Sequence, residues 1–219
     1  MHRLLFQKVG DSVFLSHLDL IRAFQRAFRR AGVMLKHSQG FSPKPYVSVA
    51  LALSVGVHSV CELMDFELEN DAPIPKDLPQ LLNATLPKGI TVLQCYESDR
   101  KVKEITHLKS KLTLEYDDGI PHGACDEITK LFQQDEIVVL KHGKHGDTPT
   151  NIAPMVKKLA VLEAGEKELC LQTTVCAQNP SLNPMLLITA IEKYLPHLVP
   201  SFAWCCRQDI LDAEGNSFR

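Results

Sequence analysis

At 219 residues, with 45% hydrophobic and 23% charged residues, the chain suits one large domain or two small ones and has an ordinary globular composition, not a disordered one. No apolar run reaches the roughly 18–20 residues that span a bilayer, and MHRLLFQKVGD has too short an apolar stretch for a signal peptide, so a cytoplasmic protein with no membrane partner is expected. The net charge of −2 conceals an asymmetry: residues 1–50 carry Arg3, Lys8, Arg22, Arg26, Arg29, Arg30, Lys36 and Lys44 against Asp11 and Asp19, a net of +6, which leaves −8 on the rest. Charge separated in this way points to an anionic partner for the basic segment.

In chain order, residues 2–8 read as a strand that ends at the Gly10-Asp11 turn. Ser16 follows as a helix cap, with Asp19 three residues on to complement the N-terminal dipole. Leu18, Ile21, Phe24, Ala27, Phe28 and Ala31 share one helical face, and Arg22, Arg26, Arg29 and Arg30 fall largely on the other. Gly32 ends this helix. Beyond a loop with Gly40, Pro43 and Pro45, residues 46–53 and 61–69 alternate as strands. Residues 75–86 form a short helix and 90–96 a fourth strand, which gives the order βαββαβ.

The charged stretch 98–111 is the expected joint between halves, with domains over 1–100 and 108–219. The second half reads as a strand at 112–116, a helix at 125–134 and a strand at 137–140. A Gly/His/Lys loop, KHGKHGDTPTN, comes next, then a hairpin of 156–163 and 168–176 across Gly165. A helix opened by Asn183-Pro184 and a last strand at 204–211 complete the order. The expected fold class is α+β, with two tandem ferredoxin-like (βαββαβ) halves carrying antiparallel sheets.

Seven cysteines, Cys61, Cys95, Cys125, Cys170, Cys176, Cys205 and Cys206, form no C-x-x-C pair and are expected to be free, mostly buried thiols. No self-contained zinc or iron–sulfur motif is present, and His142 and His145 lack the further ligands that a metal site needs. No cofactor and no metal are therefore expected.

The blocks Phe14-Leu15-Ser16-His17-Leu18-Asp19, Arg29-Arg30-Ala31-Gly32, Ser38-Gln39-Gly40-Phe41-Ser42-Pro43-Lys44-Pro45 and Leu53-Ser54-Val55-Gly56-Val57 resemble the radical-SAM-linked family of bacterial proteins, domains of unknown function. The resemblance covers about the first third of the chain. It implies a radical SAM protein as partner and, from the ribonuclease and ribosomal-protein genes that neighbour such proteins, an RNA context. The chain has no three-cysteine radical SAM motif of its own, so any such chemistry is expected on a separate subunit. It also carries Asn151-Ile152-Ala153-Pro154 where the resemblance leads one to expect an acidic residue.

The candidate binding residues are Arg22, Arg26, Arg29 and Arg30 on the helix and Lys36, Ser38, Gln39, Gly40, Phe41, Ser42, Lys44 and Tyr46 on the loop. The arginines suit a phosphate backbone and the Ser, Gln and Lys side chains suit phosphate or sugar oxygens; Phe41 and Tyr46 suit base stacking. His17, His37 and Lys44 are the candidates for proton transfer on a bound phosphodiester. Three functions are open at this point. The first is an RNA-binding or substrate-presenting accessory partner of a radical SAM enzyme. The second is a metal-independent endoribonuclease resembling CRISPR repeat-processing enzymes, by analogy of fold alone. The third is a protein-binding adaptor without RNA.

Overall fold

A computed structural model describes residues 1–143 and 146–219; the side chains of Asp71, His142 and Glu163 also lie outside the described set, as does the whole of His145. The chain divides into two compact units, Met1–Val102 with Arg219, and Lys103–Phe218.

In the first unit, β1 (His2–Lys8) pairs antiparallel with both β3 (His58–Phe66) and β4 (Ile90–Glu97), and the short β2 (Val47–Val49) pairs with β3. Helix α1 (His17–Arg30) forms where its apolar residues recur at helical spacing, and it buries Leu20, Phe24, Ala27 and Phe28. These meet Leu4, Phe6, Met64 and Phe66 from the strands and Leu78 and Leu82 from α2 (Leu78–Asn83) in one core. Phe24 sits edge-on to Phe6 with centroids 4.9 Å apart, and Phe28 lies 5.0 Å from Phe66. Each fully buried Phe or Leu contributes about 1.5–3 kcal/mol to holding α1 on the sheet. Leu18, assigned to the apolar face, is instead 61% exposed, and Leu20, left off that face, is buried in its place.

Strand β3 departs from one-faced alternation: Glu62 and Asp65 are buried as well as Leu63, Met64 and Phe66. The carboxylate of Asp65 accepts two hydrogen bonds from Arg3, at 2.6 and 3.0 Å, directly across the β1–β3 ladder. Arg3 also donates to Ser98 and to the Arg100 carbonyl. Buried Lys8 donates to the carbonyls of Val13 and Leu15 and is drawn to Glu62; burial lowers its pKa, against the pull of Glu62.

In the second unit the antiparallel strands run in the order β10-β5-β9-β8, where β5 is His107–Glu115, β8 Val156–Ala164, β9 Glu168–Cys176 and β10 Phe202–Leu211. Helices α3 (Ala124–Leu131) and α4 (Leu186–Tyr194) bury Ile128, Leu131, Leu187 and Ile191. The stretch expected as a Gly/His/Lys loop supplies a second strand to a ribbon, β6 (Val138–Gly143) with β7 (Gly146–Asn151). Tyr194 and Lys193 at the end of α4 both donate to the Val138 carbonyl and tie the ribbon down.

The expectation of two separate tandem ferredoxin-like halves is therefore corrected. The strands are hydrogen-bonded in one eight-stranded sheet, in the order β4-β1-β3-β10-β5-β9-β8 with β2 on β3, and β6-β7 form a separate two-stranded sheet. Side-chain periodicity reports which strand face is buried, whereas the edges of a sheet are set by backbone pairing that leaves no trace in the pattern. Among the described residues no helix is long and apolar enough to cross a membrane.

Candidate nucleic-acid interface on helix α1 and the following loop

Ser16 caps α1, accepting from the Asp19 amide at 3.2 Å, while its hydroxyl donates to the Asp19 carboxylate at 2.7 Å. That hydrogen bond, with help from Arg22, holds the Asp19 carboxyl below its ordinary pKa. At the other end Gly32, in the left-handed region at φ 71°, donates to the Arg29 carbonyl, and Val33 donates back to Phe28 at 3.0 Å. This pair of bonds is the Schellman closure that glycine permits. It turns the chain out of the helix, and residues 34–36 then run beside 67–69 through the Leu35–Leu68 bridge and the Lys36-to-Glu67 and Glu69-to-Met34 backbone bonds.

The loop that follows has a tied stem. Ser38 donates its amide to the Lys44 carbonyl at 2.9 Å, and the Lys44 amide donates to the Ser38 hydroxyl at 3.1 Å. His37 bridges Pro45, and Tyr46 donates to the Lys36 carbonyl at 2.7 Å. Gln25 on α1 anchors the stem by donating to the Pro45 carbonyl at 3.0 Å. Gln39, Gly40, Phe41 and Ser42 form the exposed tip, and Phe41 is fully exposed. Gly40 takes φ 136°, a conformation that side chains rarely adopt.

All four candidate arginines are exposed on α1. Arg22 pairs with Asp19 at 3.2 Å, Lys36 pairs with Glu67 at 2.7 Å, and Arg30 donates to the Thr85 carbonyl at 3.0 Å. Both ion pairs are solvent-exposed and add little stability. Among the described residues Arg26, Arg29 and Lys44 form no salt bridge. Arg22, Arg26 and Arg29 follow one another along one face, over about 10 Å at 1.5 Å rise per residue. Arg29 and Gln25 also line a small cleft of about 50 Å³ with Phe28, His37 and Pro45. Loop and helix are thus neighbours, and Tyr46 beyond the stem is 39% exposed.

Of the sequence candidates, the structure gathers Arg29, His37 and the loop, and separates His17 from them. His17 stands in the first turn of α1, whereas His37 lies beside Gln25 and Arg29, roughly 12–18 Å further along the helix axis. Proton transfer at one phosphodiester needs both groups within hydrogen-bond reach of it, so this pair gives an endoribonuclease no support. Arg3 and Lys8, counted in the +6 segment, are buried in the sheet and contribute nothing to the surface. Gln25 and Glu67 were missed. Gln25 was legible as an uncharged donor among arginines, but its acceptor is a backbone carbonyl, which no side-chain pattern reveals.

The cysteines are unpaired, with Cys61, Cys170, Cys176 and Cys205 buried; burial pushes the Cys95 thiol up to about 11 and Cys205 up to about 12. Among the described residues no group of three His, Cys, Asp or Glu side chains gathers to hold a metal ion.

Residues 2–184 match the model of a family described as an uncharacterized protein conserved in bacteria (DUF2344). The chain belongs to this family. The DUF2344 match takes in all of α1, the loop and the strands that carry them, and the family's description names neither a reaction nor a partner. Comparison with curated proteins returned no match. Among solved structures, a chain in the crystal structure of a Cbf5–Nop10–Gar1 complex is similar, with a TM-score of 0.50 and 13% identity over 95% of this chain and 48% of that one. A chain in the crystal structure of the archaeal box H/ACA sRNP Nop10–Cbf5 complex gives 0.47 and 12%, over 94% of this chain and 46% of that one. This DUF2344 chain spans about half the length of those it matches. At such identity the first likeness is one of fold, and the second carries no weight.

Proposed function

We propose that this protein binds RNA through the exposed arginine face of α1 and the residue 38–44 loop, and serves as an accessory partner that presents a substrate to a radical SAM enzyme. The observation that carries the RNA reading is the set of cations without salt bridges, Arg26, Arg29 and Lys44, gathered on one helix and its adjoining loop. A solvated helix face that serves only solubility would intersperse carboxylates. Here Asp19 occupies the first turn, and no acidic residue follows it in α1. The radical SAM partner rests on the resemblance of residues 14–57 alone.

Arg29 and Arg30 also complement the helix dipole in the last turn, so their conversion carries a small stability cost of a few tenths to about 1 kcal/mol. That cost is separable from binding. Arg26→Glu with Arg29→Glu is expected to abolish salt-sensitive RNA binding in fluorescence anisotropy while lowering Tm by only a few degrees. Binding that survives the double substitution contradicts the reading. Arg30 is left in place because its guanidinium is engaged with Thr85.

A further inference from the structure

Resting on the RNA reading above, we infer that the ligand class is single-stranded RNA with unpaired bases, for which Phe41 is the stacking platform. Phe41 is the most exposed large apolar side chain among those described, and it sits at the tip of a loop whose stem is tied by hydrogen bonds. The two Ser38–Lys44 bonds close the stem, and the Gln25 bond to Pro45 fastens it to α1. Pro43 and Pro45 stiffen the returning strand. The ring is thus displayed on a fixed stem, and little ordering is needed when a ligand arrives.

The surroundings of the ring select the ligand. Positions 38–44 read Ser-Gln-Gly-Phe-Ser-Pro-Lys, donors and a cation around one aromatic ring, without the contiguous apolar surface that a protein partner would cover. Exposed Lys44 stands three positions after Phe41, and exposed Arg29 lines the cleft at the base of the stem with His37 and Pro45, so both can supply charge for phosphates. A duplex offers no π-face to such a ring, because its bases are stacked on one another and the deep A-form major groove admits no side chain. An unpaired nucleotide offers its face freely, whatever its identity. The row of Arg22, Arg26 and Arg29 also matches one strand; a duplex reader spans two successive minor grooves.

The test compares a 12-nucleotide single-stranded RNA with a 16-base-pair RNA duplex, each titrated against the full chain, Phe41→Ala and Phe41→Trp. Wild type is expected to favour the single strand. Phe41→Ala is expected to weaken single-strand binding about tenfold, within the range found for base–aromatic stacking, with an unchanged salt slope and an unchanged duplex affinity. Phe41→Trp restores binding, and its added indole is quenched by the single strand. Equal affinity for both RNAs, or an unaltered single-strand affinity in Phe41→Ala, overturns the inference. If those results accompany salt- and arginine-dependent binding, the RNA reading stands while the stacking role falls. If neither RNA binds, or an anionic lipid vesicle competes as well as RNA, both fall.

Discussion

Arg3 and Lys8 belong to the basic segment by sequence and to the interior by structure. Arg3 is fully buried against Asp65, and Lys8 caps the carbonyls of Val13 and Leu15 just before the α1 cap. Their cationic character was legible, but their burial was not, since it depends on carboxylates some fifty to sixty residues away in β3. Asp65→Ala removes the carboxylate that accepts two hydrogen bonds from the buried Arg3 guanidinium, and is expected to cost about 3–5 kcal/mol. The midpoint of urea unfolding reads this directly, and an unmoved midpoint contradicts the assignment. Phe41 presents the opposite case: its exposure followed from the Gly- and Pro-rich sequence around it, and only the tied stem required the structure.

Helix α1 was the most legible element, because its cap, apolar stripe and terminal glycine all agree. Ser16→Ala removes a cap bond and is expected to cost about 1 kcal/mol. Gly32→Ala forces a Cβ into the left-handed region and is expected to cost roughly 1–2 kcal/mol; thermal unfolding checks both. The Asp19 carboxyl is held low in the fold, so its contribution is present above the ordinary aspartate value and is lost as pH falls through the depressed folded value. Asp19→Asn is therefore expected to flatten the acid limb of Tm against pH; a limb of unchanged steepness contradicts this. The β6–β7 ribbon was illegible for a physical reason. Its second strand, GDTPTN, is polar and contains Pro149, and it is held by backbone pairing to β6, the strand that α4 ties down, instead of by an apolar face.

At the scale of the molecule, the α+β class and the order of the first-unit elements could be read from periodicity, but the division into two sheets could not. Leu63, Met64 and Phe66 behave alike whether their strand lies in a small sheet or a large one, so the pattern cannot say where a sheet stops. The charge count overstated the cationic surface of the basic segment, since Arg3 and Lys8 are interior and Arg22 and Lys36 already have partners. What remains on the surface is a row of arginines, one lysine and an aromatic ring. The salt dependence of binding to single-stranded RNA tests this account most directly. With three or four phosphates neutralised, log Kobs is expected to fall against log salt with a slope of about −2 to −3, and this salt-dependent binding is expected to be lost in Arg26→Glu with Arg29→Glu. A wild-type slope near zero, or the same slope in both proteins, would contradict it.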